Sequence, residues 1–254
     1  MYPTSHEHHL SLHKNSQLND VKPQHKVLGC FFIVLSVAFS NVQNIFQILS
    51  HIVIVMYILY LSKIPLKTYL KRLTLDIPFI LFALFLPFLS SENNDKVFEI
   101  FSLNIYQTGL NDMLTILFKA TLGLTIGIVL TAVTSSMEII YGLQKLKVPN
   151  ILIAIMSFTI RYIDVFIDEF KRVRISMKSR GYLEKGLKSL MPIAFASGAM
   201  LIRGYERGER VYLSMISRGF QGTIEFKSRS YKTSYKFSLC VVSSLVILGI
   251  DKLL

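Results

Sequence analysis

The sequence predicts an all-α, polytopic membrane protein with about five transmembrane helices and two further long helices in the cytoplasm. Three observations predict it. Hydrophobic residues make up 52% of the 254 positions and charged residues only 17%, far more apolar than an ordinary soluble domain. Several uncharged apolar stretches approach the roughly 20 residues needed to cross a bilayer core. An eight-residue motif also recurs in a basic region with five of its eight positions identical, ISMKSRGY from Ile175 to Tyr182 and LSMISRGF from Leu213 to Phe220.

Residues 1–26 form a polar leader, expected to be disordered, and residues 27–140 hold four spans. The first two candidates are 27–40 and 45–62. As one helix, 27–62 would be about 54 Å long at 1.5 Å per residue, too long for a bilayer. A hairpin turning near Asn41-Val42-Gln43-Asn44 is therefore expected. Lys63-Ile64-Pro65-Leu66-Lys67 reads as an amphipathic elbow on the inner face or as an ordinary basic loop. The next spans are 73–90 and 113–133, and 237–254 carries the last one at 237–250.

Charge placement tests this order, because cytoplasmic loops collect Lys and Arg. The leader carries Lys14, Lys22 and Lys26, and the link after the second span carries Lys63, Lys67, Lys71 and Arg72. Residues 91–112 hold Glu92, Asp95, Glu99 and Asp112 against Lys96 alone, as an external loop should. Residues 141–236 contain 18 Lys/Arg against seven Asp/Glu, which is nearly all of the chain's net +12. That block belongs inside. Five spans with the N-terminus cytoplasmic and the C-terminus external satisfy every loop.

Two apolar stretches in the basic block, 151–160 and 190–202, are short for spans. Counting them as spans would put residues 161–188, rich in Lys and Arg, outside. They read instead as membrane-skimming halves of two helices, roughly 150–179 and 187–217. In the second, Gly204 and Gly208 have the small-xxx-small spacing that lets another helix cross closely. The alternative is that these glycines merely kink the helix.

Each copy of the repeat continues a helical pattern to Ser-Arg and then meets glycine, a residue common just past helix ends. Arginine in a last turn also favours the helix dipole. Capping alone does not require Ser176/Ser214, Met177/Met215 and Tyr182/Phe220 to match. The duplication reads as a surface made for two equivalent receptors.

The two Ser-Arg-Gly tips, the segment RGYERGERVYLSMISRGF (203–220) and the block KVPNILIAIMSFTIRYIDVFIDEFKRVRISMKSRGY (147–182) together resemble the transmembrane T component of energy-coupling factor (ECF) transporters. The resemblance is closest to the cobalt-type CbiQ. It covers most of the chain from about Val27 and is strongest over 141–222. The family's usual tripeptide is Ala-Arg-Gly; serine replaces alanine in both copies here. The resemblance implies long crossed cytoplasmic coupling helices in 141–236, whose arginine tips insert into two ABC-type ATPase subunits. It also implies that a membrane-embedded S component, which binds the substrate, is held and moved by this chain. Carried over by position, Ser179, Arg180 and Gly181 would engage one ATPase, and Ser217, Arg218 and Gly219 the other. The apolar faces of 151–160 and 190–202 would contact the S component. The implied substrate is cobalt, with nickel next and a vitamin such as biotin as the alternative.

No chemistry of the chain's own is expected, and no cofactor. The six histidines, His6, His8, His9, His13, His25 and His51, all lie within the first 51 residues. Those of the leader, His6, His8, His9 and His13, are able to ligate a divalent cation, but they precede any fold element and no metal site is assigned to them. Cys30 and Cys240 lack metal-ligand spacing and read as core thiols. No glycine-lysine phosphate loop is present, so an ATPase would have to be a partner. Asp76 and Lys119 are isolated charges within spans; Asp76 lies near an interface, and Lys119 is expected to snorkel outward. A secondary carrier would show broken helices or several buried charges in paired positions, and a membrane enzyme a catalytic constellation. Neither is found. The basic block is explained by membrane orientation and calls for no nucleic acid. The expected location is the inner (plasma) membrane.

Overall fold

The computed structural model describes residues 16–251 apart from 17, 20, 41–43, 90–95, 101–102, 183–189, 225 and 227–234. The leader histidines His6, His8, His9 and His13 and most of the turn expected at Asn41–Asn44 lie outside the described residues. In chain order the elements are α1 (Pro23–Phe39), α2 (Ile45–Ser62), α3 (Leu66–Leu73), a 3-10 turn (Thr74–Asp76), α4 (Ile77–Leu89), β1 (Lys96–Ile100), β2 (Leu103–Tyr106), α5 (Gln107–Val133), α6 (Ser136–Lys145), α7 (Asn150–Ser179), α8 (Leu190–Ile216) and α9 (Tyr235–Asp251). The class is all-α. The one addition is a short antiparallel hairpin, β1 with β2, in the loop read from sequence as acidic and external.

The described chain forms two compact units, one from His9–Gly142 with Arg229–Leu254, the other centred on Leu143–Ser228. In the first, α5 is the central helix, packed against α1, α2, α3 and α4, while α9 closes over α1 and α2. Leu122, Ile126, Val129 and Val133 of α5 recur at helical spacing and form one core with Cys30, Ile33 and Val37 of α1, Ile54, Ile58 and Leu61 of α2, and Phe237 and Cys240 of α9. Cys30 and Cys240 are buried free thiols. Gly29 permits the close pass of α1 and α9, since a Cβ there would come within 2.5 Å of the Phe237 ring.

By length and composition α2, Gly109–Val133 of α5, and α7 can each cross a membrane, and α1 is a shorter apolar helix. Two boundaries differ from the sequence reading for identifiable reasons. The span expected at 73–90 starts at Ile77, because Pro78 has no N–H and its ring conflicts with the carbonyl four residues earlier, at Thr74. The chain takes a 3-10 turn there, and Leu66–Leu73 becomes a separate amphipathic helix. The apolar part of α7 runs beyond 160, because its first 18 residues carry only Arg161 and Asp164 as charges.

Buried polar groups join the helices of this unit. His51 on α2 is 1% exposed; its Nδ1–H donates to the Gln47 carbonyl at 2.9 Å, and its Nε2 lies 3.0 Å from Ser36 Oγ of α1. Ser36 Oγ is also 2.9 Å from the Ser244 carbonyl of α9. Ser36 Oγ therefore joins α1 to α2 through the imidazole and to α9 through the backbone. Lys119 donates to the Ala38 carbonyl at 2.9 Å, at the end of α1 that the charge reading places outside. That carbonyl belongs to the last turn of α1, where orphan acceptors and the helix dipole favour a cation. Asp76 is buried in the 3-10 turn, and its Oδ2 has no hydrogen-bond partner among the described residues. Ser135 and Glu138 form a capping box at α6, each side chain bonding the other's backbone N–H at 3.3 Å.

Replacing Ser36 by alanine removes the hydroxyl that links α1 to both α2 and α9 and leaves His51 Nε2 without its partner. The expected loss is about 1–2 kcal/mol, the range found for interhelical hydrogen bonds in membrane model peptides. It is read as a lowered thermal midpoint of the detergent-solubilised protein, with His51→Leu, which leaves the Ser36 bond to Ser244 in place, producing a smaller drop in the same direction.

Candidate coupling site

Both repeat copies lie in the second unit, and both end their helices in the same way. At the first, the Tyr182 N–H donates to the Met177 carbonyl at 3.1 Å and the Gly181 N–H to the Lys178 carbonyl at 3.0 Å. At the second, Phe220 N–H donates to Met215 at 3.0 Å and Gly219 N–H to Ile216 at 2.9 Å. These are the paired bonds of a Schellman ending, which needs a left-handed residue just past the cap. Gly181 has φ 80° and Gly219 φ 82°, a conformation that side-chain-bearing residues rarely adopt.

This geometry explains part of the matching that capping did not appear to require. A Schellman ending commonly pairs an apolar residue in the last turn with another just beyond the glycine. Met177 with Tyr182, and Met215 with Phe220, occupy those positions, and all four are half-buried while the residues around them are exposed. The serines also have local duties: Ser179 Oγ donates to the Ile175 carbonyl and Ser217 Oγ to the Ser214 carbonyl, each at 3.0 Å. The arginines have none. Arg180 and Arg218 are exposed at the cap position, and neither guanidinium has a partner among the described residues.

The helices bearing these tips meet at one crossing. Gly204 of α8 faces Phe166 of α7, and a Cβ there would come within 2.7 Å of the ring. Beside it, Glu169 accepts from Arg203 of α8 at 2.7 Å and from Arg172 of its own helix at 2.9 Å. Sequence reasoning did not identify this tie, because partners 34 positions apart leave no local signal. The hydrogen bond from Arg172, helped by the positive field of Arg203 and Arg207, holds the Glu169 carboxyl below its ordinary range. Gly208, the other residue of the small-xxx-small pair, has open space above it. It lines a groove of about 400 Å³ between Phe158, Tyr162 and Phe166 of α7 and Val211, Tyr212 and Met215 of α8. Phe220, just past the second tip, closes one end with its ring edge-on to Phe158 at 6.3 Å. The apolar faces expected at 151–160 and 190–202 are largely exposed, including Ile151, Ile155, Met191 and Phe195. Among the described residues no group of three His, Cys, Asp or Glu side chains is placed to hold a metal ion.

The apolar helices of one unit can cross a membrane, and the basic unit carries two crossing helices with matched Ser-Arg-Gly ends. The chain belongs to the CbiQ family, described as cobalt transport protein, whose model matches residues 14–230. It is a transmembrane component of the ECF type. It is 26% identical over 234 residues to an uncharacterised protein of Methanocaldococcus jannaschii, covering 89% of this chain and 85% of that one. The energy-coupling factor transporter transmembrane protein EcfT of Lactococcus lactis is 26% identical over 251 residues, 92% of this chain and 91% of its own. EcfT of Bacillus subtilis is 24% identical over 221 residues, 82% of each chain.

The crossing yields two expectations. Gly204→Leu must push Phe166 aside and is expected to lower the thermal midpoint, at a cost of about 1–3 kcal/mol for overpacking, whereas Gly208→Leu enters open space and leaves it near the unmodified value. A carboxylate whose folded-state pKa is depressed contributes stability above its unfolded value of about 4.3 and loses it only as pH falls through the lower folded value. Melting curves across acid pH are therefore expected to show the Glu169 contribution intact above the usual carboxylate range and lost as pH falls through and below it, with Glu169→Gln flattening that dependence.

Proposed function

We propose that this chain is the non-catalytic coupling subunit of an ECF-type importer in the plasma membrane, with cobalt as its substrate and nickel as the nearest alternative. One observation carries the reading: two helices end in caps with the same hydrogen bonds 38 residues apart, and each cap presents one exposed arginine whose guanidinium has no partner among the described residues. Glycine turns the chain away behind each guanidinium, leaving it free for a carboxylate on another protein. Charge-assisted bonds of a planar guanidinium are stronger and more directional than neutral ones. Two such pegs on one chain suit two copies of one receptor, and a pair of ABC-type ATPase subunits supplies them. Ser179, Arg180 and Gly181 engage one, and Ser217, Arg218 and Gly219 the other.

The basic module 141–236 then lies in the cytoplasm, with the N-terminus inside, the C-terminus outside, and 27–140 and 237–254 in the membrane. Gly204, packed on Phe166, sets the helix crossing through which motion at the tips reaches the membrane side, whereas Gly208, paired with it by spacing, faces open space. The exposed apolar faces of 151–160 and 190–202 hold the S component. ATP is hydrolysed by the partners, and the substrate pocket belongs to the S component.

Reversing both charges, Arg180→Glu with Arg218→Glu, is expected to leave membrane insertion intact, to reduce ATPase co-purification and to abolish uptake of labelled cobalt in cells carrying the whole system. Each single reversal is expected to retain partial assembly. Normal uptake by the double variant would sink the coupling role. Uptake of biotin without cobalt or nickel would overturn the substrate assignment alone.

A further inference from the structure

We propose that α3 and the elbow before it form a binding surface for anionic phospholipid headgroups. The elbow is tight: Lys63 ends α2 in a left-handed conformation, φ 51°, and Pro65 starts α3 two residues later. On a helical wheel Leu66 and Leu70 fall about 40° apart, and Lys67 and Lys71 fall beside them, also about 40° apart, at 100° per residue. The opposite side of the helix is fastened to α5. Tyr69 Oη lies 3.0 Å from Thr125 Oγ1, and Arg72 reaches Thr131 Oγ1 at 3.5 Å. Thr68, Tyr69, Arg72 and Leu73 are half-buried there, while no residue of α3 is fully buried.

The outward side is left as a leucine stripe beside a lysine stripe. Leu66 is 73% exposed, Leu70 59%, and Leu75 just beyond is 65% exposed. Lys63, Lys67 and Lys71 are exposed too, and no acidic residue lies between Lys63 and Leu75. Leucines alone would suit any apolar partner, and lysines alone any polyanion. Adjacent stripes on a short helix at the mouth of a membrane bundle suit the boundary where acyl chains meet phosphate. Because α5 holds the helix against rotation, the leucines enter the hydrocarbon edge while the lysines stay at headgroup depth. The pinning distinguishes this surface from a mobile basic loop, which would be attracted to the same leaflet without selecting a lipid.

Full-length protein in neutral detergent, supplied with equal phosphatidylglycerol and phosphatidylcholine, tests this by native mass spectrometry. The unmodified chain is expected to retain phosphatidylglycerol in preference. Lys67→Gln with Lys71→Gln is expected to reduce that preference about ten- to thirty-fold, at the free energy typical of two juxtamembrane lysines, while Lys67→Arg with Lys71→Arg keeps it. Leu66→Ser with Leu70→Ser is expected to lower retention of both lipids. Equal retention of the two lipids by the unmodified chain, an unchanged preference in the glutamine variant, or unchanged retention in the serine variant would each overturn the proposal. So would displacement of the phospholipid by millimolar inorganic phosphate, which would mark a site for a free anion instead.

Discussion

Hydrocarbon offers no hydrogen bonds, so every backbone polar group inside the bilayer must find a partner within the protein, and a buried polar side chain is costly without one. Helices satisfy their interiors by themselves, and what remains is the management of their ends and of the few polar side chains between them. Lys119 illustrates the first requirement. A lone cation in an apolar helix is placed where α1 runs out of donors for its last carbonyls. His51 illustrates the second, with both ring nitrogens used and three helices joined through one serine hydroxyl.

The same concern with helix ends produces the two tips. Schellman bonds complete the backbone at Gly181 and Gly219, the methionine and aromatic positions shield that turn, and the serine hydroxyls bond back to their own helices. Once these local duties are assigned, the arginine is the member of the repeated motif left without one. The helices that carry the two tips cross where Gly204 packs on Phe166 and Arg203 bonds to Glu169.

Much of this was legible in the residues. The helix 150–179 was read to its ends, because Pro149 opens it and Ser-Arg-Gly closes it, both strong local signals. The membrane class followed from composition, and α2 from an uninterrupted apolar run. Less legible was the stretch from Leu66 to Leu89, where apolar content was plain but Pro78 divided it into an amphipathic helix, a 3-10 turn and a shorter helix. The hairpin at Lys96–Tyr106 was not foreseen, since its strands are short and lack strict alternation. Gly204 and Gly208 look equivalent by spacing, yet one faces a phenylalanine ring and the other open space.

By itself the sequence determined the fold class, the placement of charge, and the two glycine-terminated helix ends, because hydropathy, charge bias and capping act over a few residues or over bulk composition. The tertiary structure alone decided which polar groups meet. His51 with Ser36 and the Ser244 backbone, Lys119 with Ala38, and Glu169 with Arg203 are separated by 15 to 208 positions in the chain. A side chain's partner at such separations depends on how helices rotate and cross, and no local pattern records that.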